Sequence, residues 1–403
     1  MIELGLTPLG LYLHIPWCVS RCIYCDFNTY VADDAALRQR YQAALQREIR
    51  ETGAALGRPH LATLFIGGGT PTTLPAEALV ELVNSVKGAF VLESGAEVTV
   101  EANPDDLTVA YLRDIRQGGV NRLSLGVQSF SEAELRFLGR RHRTETARQA
   151  VAQARHAGFD NVSLDLMFNL PEQTVAQWQD TLQEAIKLAP EHLSLYSLII
   201  EPGTPLANQV GRGQTPRPDD DVAAAMYGCA IDMLGTAGYV QYEISNWVKT
   251  GAAAAEWETP SLAAAHNLIY WRNQPYLGLG TGAFSTFNGE RWMNVKRPVT
   301  YIARVEAGDG LGLARAERSR EQLDRATMIQ EHMLLGLRLV REGVSLAGFA
   351  ARFGQPLLEV YPAAVAAGLR RGLAEWVQAP DGPHLRLTRA GRFVANQVII
   401  EFM

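Results

Sequence analysis

The sequence predicts an α/β protein, because its first half alternates short β-rich runs with longer amphipathic stretches. Apolar runs such as LSLYSLII are typical of parallel strands buried on both faces. Six βα units build either an open barrel or a doubly wound sheet, and periodicity alone does not distinguish the two. The predicted strands are Leu11–Ile15, Thr63–Ile66, Glu97–Glu101, Arg122–Val127, Asn161–Leu166 and His192–Ile199, and the predicted helices are Ala36–Ala55, Ala76–Ala89, Val109–Gln117, Thr144–Ala157 and Val175–Leu188.

The middle of the chain is less regular. Glu201–Asp221 is rich in Pro, Gly and Asp, which predicts a linker or long loop. We expect a helix over Val222–Gly235 and a strand over Tyr239–Ser245. The Ala-rich segment Thr250–Ala265 predicts a flexible surface loop.

From about Arg320 the pattern changes to two or three helices followed by Leu385–Leu387 and Thr388–Glu401. This suits a small helical domain with a β-hairpin, of winged-helix type. Ten basic and eight acidic residues in this part indicate no nucleic-acid partner. The expected domains are a core, a connecting region and a C-terminal domain, over residues 1–240, 241–315 and 316–403.

Composition narrows the class of protein. The chain has 403 residues, a net charge of -6 and 47% hydrophobic residues, as expected for a globular protein with a real core. No apolar run approaches the ~20 residues that a membrane helix needs. The N-terminus lacks the pattern of a signal peptide. Together with clustered cysteines, which suggest a reducing compartment, these features predict a cytoplasmic protein.

Three of the four cysteines are clustered as Cys18-x-x-x-Cys22-x-x-Cys25, directly after the first predicted strand. Three thiolates on one loop can each ligate one iron of a cubane cluster, which leaves the fourth iron open. An open iron can take the amino and carboxylate groups of S-adenosylmethionine (SAM). The alternative, a zinc site completed by His14, lacks the usual paired spacing. Cys229 reads as a buried small hydrophobe.

Polar residues and glycines follow the next strands. The segment FIGGGTPT brings Gly67–Gly69 to the end of the second strand, where residues without Cβ let a ligand approach the backbone. Glu101 and Gln128 stand at the ends of the third and fourth strands, and a carboxylate such as Glu101 could bind ribose hydroxyls. Arg140 could pair with a carboxylate. Asp165 interrupts an apolar strand, so it needs a partner or a ligand.

A CxxxCxxC motif after the first strand, with Tyr24 before its last cysteine, resembles the radical SAM superfamily. The resemblance extends through all six βα units and implies an open (β/α)6 barrel, a partial TIM-type barrel, that binds a [4Fe–4S] cluster and SAM at its C-terminal mouth. It implies Cys18, Cys22 and Cys25 as cluster ligands. The SAM pocket that it implies consists of Tyr12, Gly68, Gly69, Thr70, Glu101, Gln128, Arg140 and Asp165.

Within this superfamily the chain resembles the haem chaperones related to oxygen-independent coproporphyrinogen oxidase. Phe27 stands where the oxidases have a further cysteine, and the segment before Tyr12 is short. The run His266-Asn267-Leu-Ile-Tyr270-Trp271 matches the HNxxYW motif associated with haem binding. An imidazole is a common axial ligand of haem iron, and Tyr and Trp rings offer apolar area to a porphyrin.

This resemblance implies that His266, Asn267, Tyr270 and Trp271 bind haem as cargo for an acceptor protein. A respiratory haem protein is one candidate acceptor, and a homodimer is one candidate assembly. Two alternatives are enzymes: a coproporphyrinogen III oxidase that decarboxylates propionates by radical chemistry, and a radical SAM enzyme on another substrate, in which His266 is structural.

Overall fold

The computed structural model describes residues 8–31, 34–250, 255–308, 313 and 316–403. The strands of this part of the chain are β1 (Gly10–Ile15), β2 (Trp17–Cys18), β3 (Tyr30–Val31), β4 (His60–Gly68), β5 (Val91–Ala102), β6 (Arg122–Gln128), β7 (Val162–Phe168), β8 (His192–Ser197), β9 (Tyr239–Glu243), β10 (Asn246–Lys249), β11 (Tyr276–Leu279), β12 (Phe284–Phe287), β13 (Glu290–Asn294), β14 (Glu317–Gln322), β15 (Val344–Ser345), β16 (Ala374–Ala379) and β17 (Gly382–Leu387). The helices are α1 (Ala35–Ala55), α2 (Ala76–Ala89), α3 (Val109–Gly118), α4 (Glu132–Leu138), α5 (Thr144–His156), α6 (Val175–Lys187), α7 (Pro205–Gly211), α8 (Asp220–Thr236), α9 (Ala265–Trp271), α10 (Pro298–Ala307), α11 (Arg325–Gly336), α12 (Leu346–Phe353), α13 (Leu357–Val360), α14 (Pro362–Arg370), α15 (Arg389–Phe393) and α16 (Ala395–Ile399).

Six parallel strands form the barrel, in the order β1-β4-β5-β6-β7-β8. In the first ladder Gly10 lies opposite Thr63 and Ile15 lies opposite Gly68. The strands β1 and β8 pair with β11 and β10 instead of with each other, so the barrel described here is open. The α/β class and the open (β/α)6 barrel are therefore confirmed.

The sheet extends past both edges of the barrel to twelve strands. The strands β11 to β14 continue it beyond β1, and β10 and β9 continue it beyond β8. Sequence analysis did not predict β11 to β14, because these strands are only four to six residues long and carry mixed polarity. Buried side chains of β11, β13 and α10 share one hydrophobic core with the barrel.

The predicted helices of the barrel all form, with bounds within a residue of those expected. Local signals explain these bounds. Thr174 begins α6 with a capping box, in which its hydroxyl accepts from the Gln177 amide while the Gln177 side chain accepts from the Thr174 amide. Gly119 ends α3 in the left-handed conformation that favours glycine.

Two loop predictions need correction. Glu201–Asp221 contains a helix, α7, because Thr204 and Pro205 form a helix start: the Thr204 hydroxyl accepts from the Ala207 amide. The Pro and Gly content around this helix obscured it. Thr250–Ala265 lies partly outside the described residues, but its last part is packed, since Ala263 and Ala264 are buried.

The C-terminal part contains a second hydrophobic core, formed by α11 to α14, α16 and a three-stranded antiparallel sheet in the order β15-β17-β16. The hairpin partner of β17 is β16, which precedes it, and the segment expected as Thr388–Glu401 is helical. Helices flanking a small antiparallel hairpin agree with the predicted winged-helix type. No helix in the described ranges is long and apolar enough to cross a membrane.

Glu243, at the end of β9, has no exposed surface, and its burial predicts that the stability of the fold depends on pH. Burial raises the pKa of this carboxyl from 4.5 to about 7, although Arg338 and the Ser245 amide oppose the shift. The folded state therefore holds one proton more than the unfolded state between these pH values, and its stability falls as pH rises through them. The wild type should lose about 3 kcal/mol of its free energy of unfolding between pH 5 and pH 8, and Glu243→Gln should not show this loss. Urea denaturation at both pH values measures the difference.

The matched control is Glu359→Gln, which changes an exposed carboxyl of α13 and should follow the pH dependence of the wild type. Equal pH dependence of the two variants would contradict this role of Glu243.

Candidate functional site

A cavity of about 380 Å³ opens at the carboxyl ends of the barrel strands. This is the end at which α/β barrels usually place their chemistry. The cavity brings together most of the residues expected to hold the cluster and SAM. These are Cys18, Cys22, Cys25, Gly68, Gly69, Thr70, Glu101, Gln128, Arg140 and Asp165.

The cysteine loop is held at the cavity by backbone contacts on both sides. Its ends are joined by the parallel ladder of β2 and β3, in which Cys18 lies opposite Val31. Within the loop, the Ile23 amide donates to the Leu138 carbonyl at 3.4 Å, and the Leu206 amide of α7 donates to the Ile23 carbonyl at 3.0 Å. The helix that sequence analysis missed thus supports the loop.

The thiols have polar neighbours that suit metal-bound thiolates. The Thr70 hydroxyl lies 3.6 Å from Cys18 Sγ, and the Arg140 guanidinium donates to Cys22 Sγ at 3.5 Å. Burial raises the pKa of Cys18 and Cys25, which disfavours the thiolate form. Bonding to a metal offsets this cost, because the metal stabilises the deprotonated sulfur. The Thr29 hydroxyl is buried beside this loop and acts on the Cys18 thiol as a further polar neighbour. Three partly exposed thiols on one cavity wall fit the cluster.

His14 does not join the cysteines in a zinc site. One of its ring nitrogens lies 2.9 Å from the Tyr12 hydroxyl and the other lies 3.0 Å from the Asn28 carbonyl oxygen. Burial lowers the pKa of His14 to about 4, so the ring is neutral at physiological pH. Within the described part of the chain, no three His, Cys, Asp or Glu side chains are grouped to hold a single metal ion.

The glycine turn after β4 depends on the absence of side chains. Gly68 has a φ of +111°, and a Cβ there would lie 2.4 Å from the His14 ring. Its amide donates to Glu101 Oε2 at 2.9 Å, which links the ends of β4 and β5. Burial raises the pKa of Glu101 to about 7, and the Gly68 amide opposes that shift.

Arg140 and Asp165 are both anchored by neutral partners. Arg140 donates to the Asn103 side chain at 3.0 Å and to the Gly126 carbonyl at 2.6 Å. Asp165 accepts from the Ser124 hydroxyl at 3.1 and 3.0 Å. A bulge between Gly126 and Gln128 lets Gln128 take a φ of +67°, an uncommon conformation for a residue with a side chain.

Tyr12 is not among the residues that line the cavity. It lies behind the glycine turn in a row of rings through the barrel: its ring is 6.1 Å from Phe65, which stacks on His266 at 5.2 Å. The row continues to Tyr270, at 5.0 Å from His266. Burial raises the pKa of Tyr12 well above its ordinary value.

The HNxxYW segment forms α9 at the opposite end of the barrel from the cysteines. His266 is 1% exposed, its Nδ1 lies 2.7 Å from the Thr63 hydroxyl near the start of β4, and its Nε2 lies 2.9 Å from the Tyr270 hydroxyl. Burial lowers the pKa of His266 to about 3. Asn267 is half-buried, and the Arg338 guanidinium lies 4.6 Å from the Trp271 ring centre.

Three residues that hold α9 were missed by the sequence analysis: Thr63, Glu97 and Arg122. The Glu97 carboxylate accepts from the Ala265 and His266 amides at 2.9 and 3.1 Å. Arg122, 2% exposed, lies 3.9 Å from Glu97. The sequence did hold a signal for two of them, because Glu97 and Arg122 are charged residues at the starts of two predicted apolar strands.

Two family models match parts of this chain. The family model of the Radical SAM superfamily matches residues 12–185, and that of the HemN C-terminal domain matches residues 323–394. The Heme chaperone HemW of Bacillus subtilis is 37% identical over 97% of this chain and 98% of its own length. The proteins of that name from Mycobacterium tuberculosis and Escherichia coli are 37% and 40% identical, over 97% and 69% of this chain and 94% and 70% of their own lengths.

Among solved structures, coproporphyrinogen III oxidase (HemN) from Escherichia coli superimposes with a TM-score of 0.81 and 22% identity. The match covers 98% of this chain and 90% of the oxidase. At this identity the likeness establishes the shared fold alone.

Gly68→Ala tests the geometry of the glycine turn. The added methyl group collides with the His14 ring and must also adopt a positive φ, so we expect a loss of stability clearly larger than the ~1 kcal/mol of backbone strain alone. The control, Gly158→Ala, has a φ of +91° with no atom within 4 Å of the new Cβ, so it carries only the strain. Urea denaturation of both variants compares the two costs, and equal losses would refute the collision.

Proposed function

The chain belongs to the HemW family of radical SAM proteins, and from this membership we propose that it binds haem and delivers it to an acceptor protein. The observation that carries the proposal is the similarity to proteins named Heme chaperone HemW, which spans 97% of this chain. The His266-Asn267-x-x-Tyr270-Trp271 sequence and Phe27, in the position where the oxidases have a further cysteine, support it.

We assign the cluster ligands to Cys18, Cys22 and Cys25, with SAM in the adjoining cavity. A bound [4Fe–4S] cluster supplies an open iron for SAM and one-electron redox chemistry. Thr70 and Arg140 lie within hydrogen-bonding distance of the sulfur atoms of Cys18 and Cys22, and with a cluster bound these contacts would tune its reduction potential. The glycine turn, which carries no side chains, lets SAM approach the backbone closely, while Glu101, Gln128 and Asp165 present polar groups to it, with Tyr12 behind them.

We assign the haem ligand to His266, with Tyr270 and Trp271 as ring contacts and Asn267 as an orienting group. The lowered pKa supports this role, since a neutral imidazole is the form that ligates iron. The ring must leave the base of the barrel to do so, because both of its nitrogens are hydrogen-bonded there. The acceptor is a haem protein, with a respiratory one as a candidate, and the carrier is a cytoplasmic protein that forms a homodimer.

Replacing a cluster cysteine tests the metal assignment. We expect Cys18→Ala, Cys22→Ala or Cys25→Ala to abolish cluster assembly, because each removes one of three protein ligands. Iron and sulfide content and visible absorbance after anaerobic reconstitution are the measurements. Cys229→Ala, on α8, should retain the cluster, and loss of the cluster in this control alone would reverse the assignment.

Anaerobic haem titration of His266→Ala tests the cargo assignment. We expect tight, stoichiometric binding in the wild type and a loss of the Soret change in the variant, because the axial ligand is gone. His156→Ala, an exposed histidine at the end of α5, should bind as the wild type does. Undiminished binding by His266→Ala would refute the assignment. Decarboxylated porphyrin products after anaerobic incubation with coproporphyrinogen III, SAM and a reductant would favour the oxidase instead.

A further inference from the structure

The haem motif and the cluster motif lie at opposite ends of the barrel, and His266 is closed off from solvent. Thr63 lies near the amino end of β4, whereas Gly68, at its carboxyl end, lines the cavity with the cysteines. A ring that is 1% exposed and hydrogen-bonded through both nitrogens offers no lone pair to iron. The conformation described here is therefore unable to ligate haem.

We propose that α9 is a latch that keeps His266 away from haem, and that haem binds the minor conformation in which this helix has left the base of the barrel. The latch consists of His266, Thr63 and Glu97. This inference rests on the proposed function and adds its regulation: the contacts of the closed state set the apparent affinity for haem.

The contacts of the latch differ from ordinary core packing in being polar. Glu97 accepts from two amides at the beginning of α9, which otherwise lack partners within the helix. The Thr63 hydroxyl satisfies the imidazole at 2.7 Å. Each of these polar bonds can be replaced by one to water once the helix leaves, so the cost of opening lies mainly in the apolar contacts of Leu268 and Ile269, which are also buried.

The fit at the base of the barrel is close but leaves a route outward. A Cβ on Gly10 would lie 3.3 Å from the His266 ring and 3.2 Å from Ile269, so the backbone of β1 touches the helix directly. Beyond His266 the helix is less enclosed: Asn267, Tyr270 and Trp271 are all partly exposed. Asn267 and Trp271 are therefore accessible before the helix moves, whereas Tyr270 stays in contact with His266.

A closed latch lowers the apparent affinity in proportion to the fraction of open molecules. Removing the Thr63 hydroxyl leaves a buried imidazole nitrogen unsatisfied in the closed state, while the open state loses nothing. We therefore expect Thr63→Val to bind haem about tenfold more tightly than the wild type and to open faster.

The barrel offers a matched control on the neighbouring strand. Thr99 of β5 is also fully buried in the barrel, but its hydroxyl has no hydrogen-bond partner among the described residues. Thr99→Val makes the same chemical change without touching the latch, and Thr63→Ser keeps the hydroxyl. Both should bind haem as the wild type does.

The experiment is anaerobic haem titration and stopped-flow mixing with the full-length protein and these three variants, followed by Soret absorbance. Tighter binding and a higher limiting rate in Thr63→Val alone support the latch. Wild-type behaviour of Thr63→Val, or an equal gain in Thr99→Val, overturns it.

Hydrogen exchange without haem gives a second measurement that does not depend on binding. The amides of 265–271 should exchange faster in Thr63→Val than in Thr99→Val, while the strand amides stay protected, and equal exchange overturns the latch. His266→Ala separates the two proposals. If that variant loses haem while Thr63→Val behaves as the wild type, the latch is wrong and the cargo assignment stands; if it keeps haem, the cargo assignment itself fails.

Discussion

The polar interior of the barrel is the constraint on which both ends of the molecule depend. Small barrels are usually filled with branched apolar side chains, but here inward positions carry buried Arg122 and His192, and Asp165, which lines the cavity. Burying such groups is costly unless each is hydrogen-bonded or paired. Ser124 satisfies Asp165, and Ser163 and Tyr242 satisfy the two ring nitrogens of His192. At the base of the barrel Glu97 lies beside Arg122 and also accepts a hydrogen bond from the first amide of α9, a helix outside the barrel.

Residues that share a loop, or that stand at the ends of successive strands, could be predicted to lie together from spacing and strand order alone. The three cysteines stand on one loop, and Glu101, Gln128 and Asp165 belong to successive parallel strands, whose carboxyl ends must meet at one edge. The six strands and their helices could be predicted as well, because apolar periodicity depends only on residues that are near one another in sequence. Tyr12 lies on the inward face of β1 with His14 and next to Phe65, deeper in the barrel than the residues that line the cavity.

What could not be predicted depends on contacts between distant parts of the chain. The bond from Thr63 to His266 joins positions 203 residues apart, and a buried threonine in an apolar strand carries no signal of it. The edge strands β11 to β14 are short, and they form because β1 offers them an unpaired edge. The same holds for α7, whose support of the cysteine loop appears only once the loop is placed.

The proposed carrier has to release its cargo, and the proposed latch would let the same residues serve binding and release. In a site preformed for haem, every favourable contact slows dissociation. In a latched site, the contact of His266 with Thr63 competes with the iron for the imidazole. When haem leaves, the Thr63 hydroxyl can hydrogen-bond the imidazole again, so the ring is not left unsatisfied in the barrel. Affinity is lowered without weakening the iron–imidazole bond, and this favours transfer to an acceptor over permanent retention.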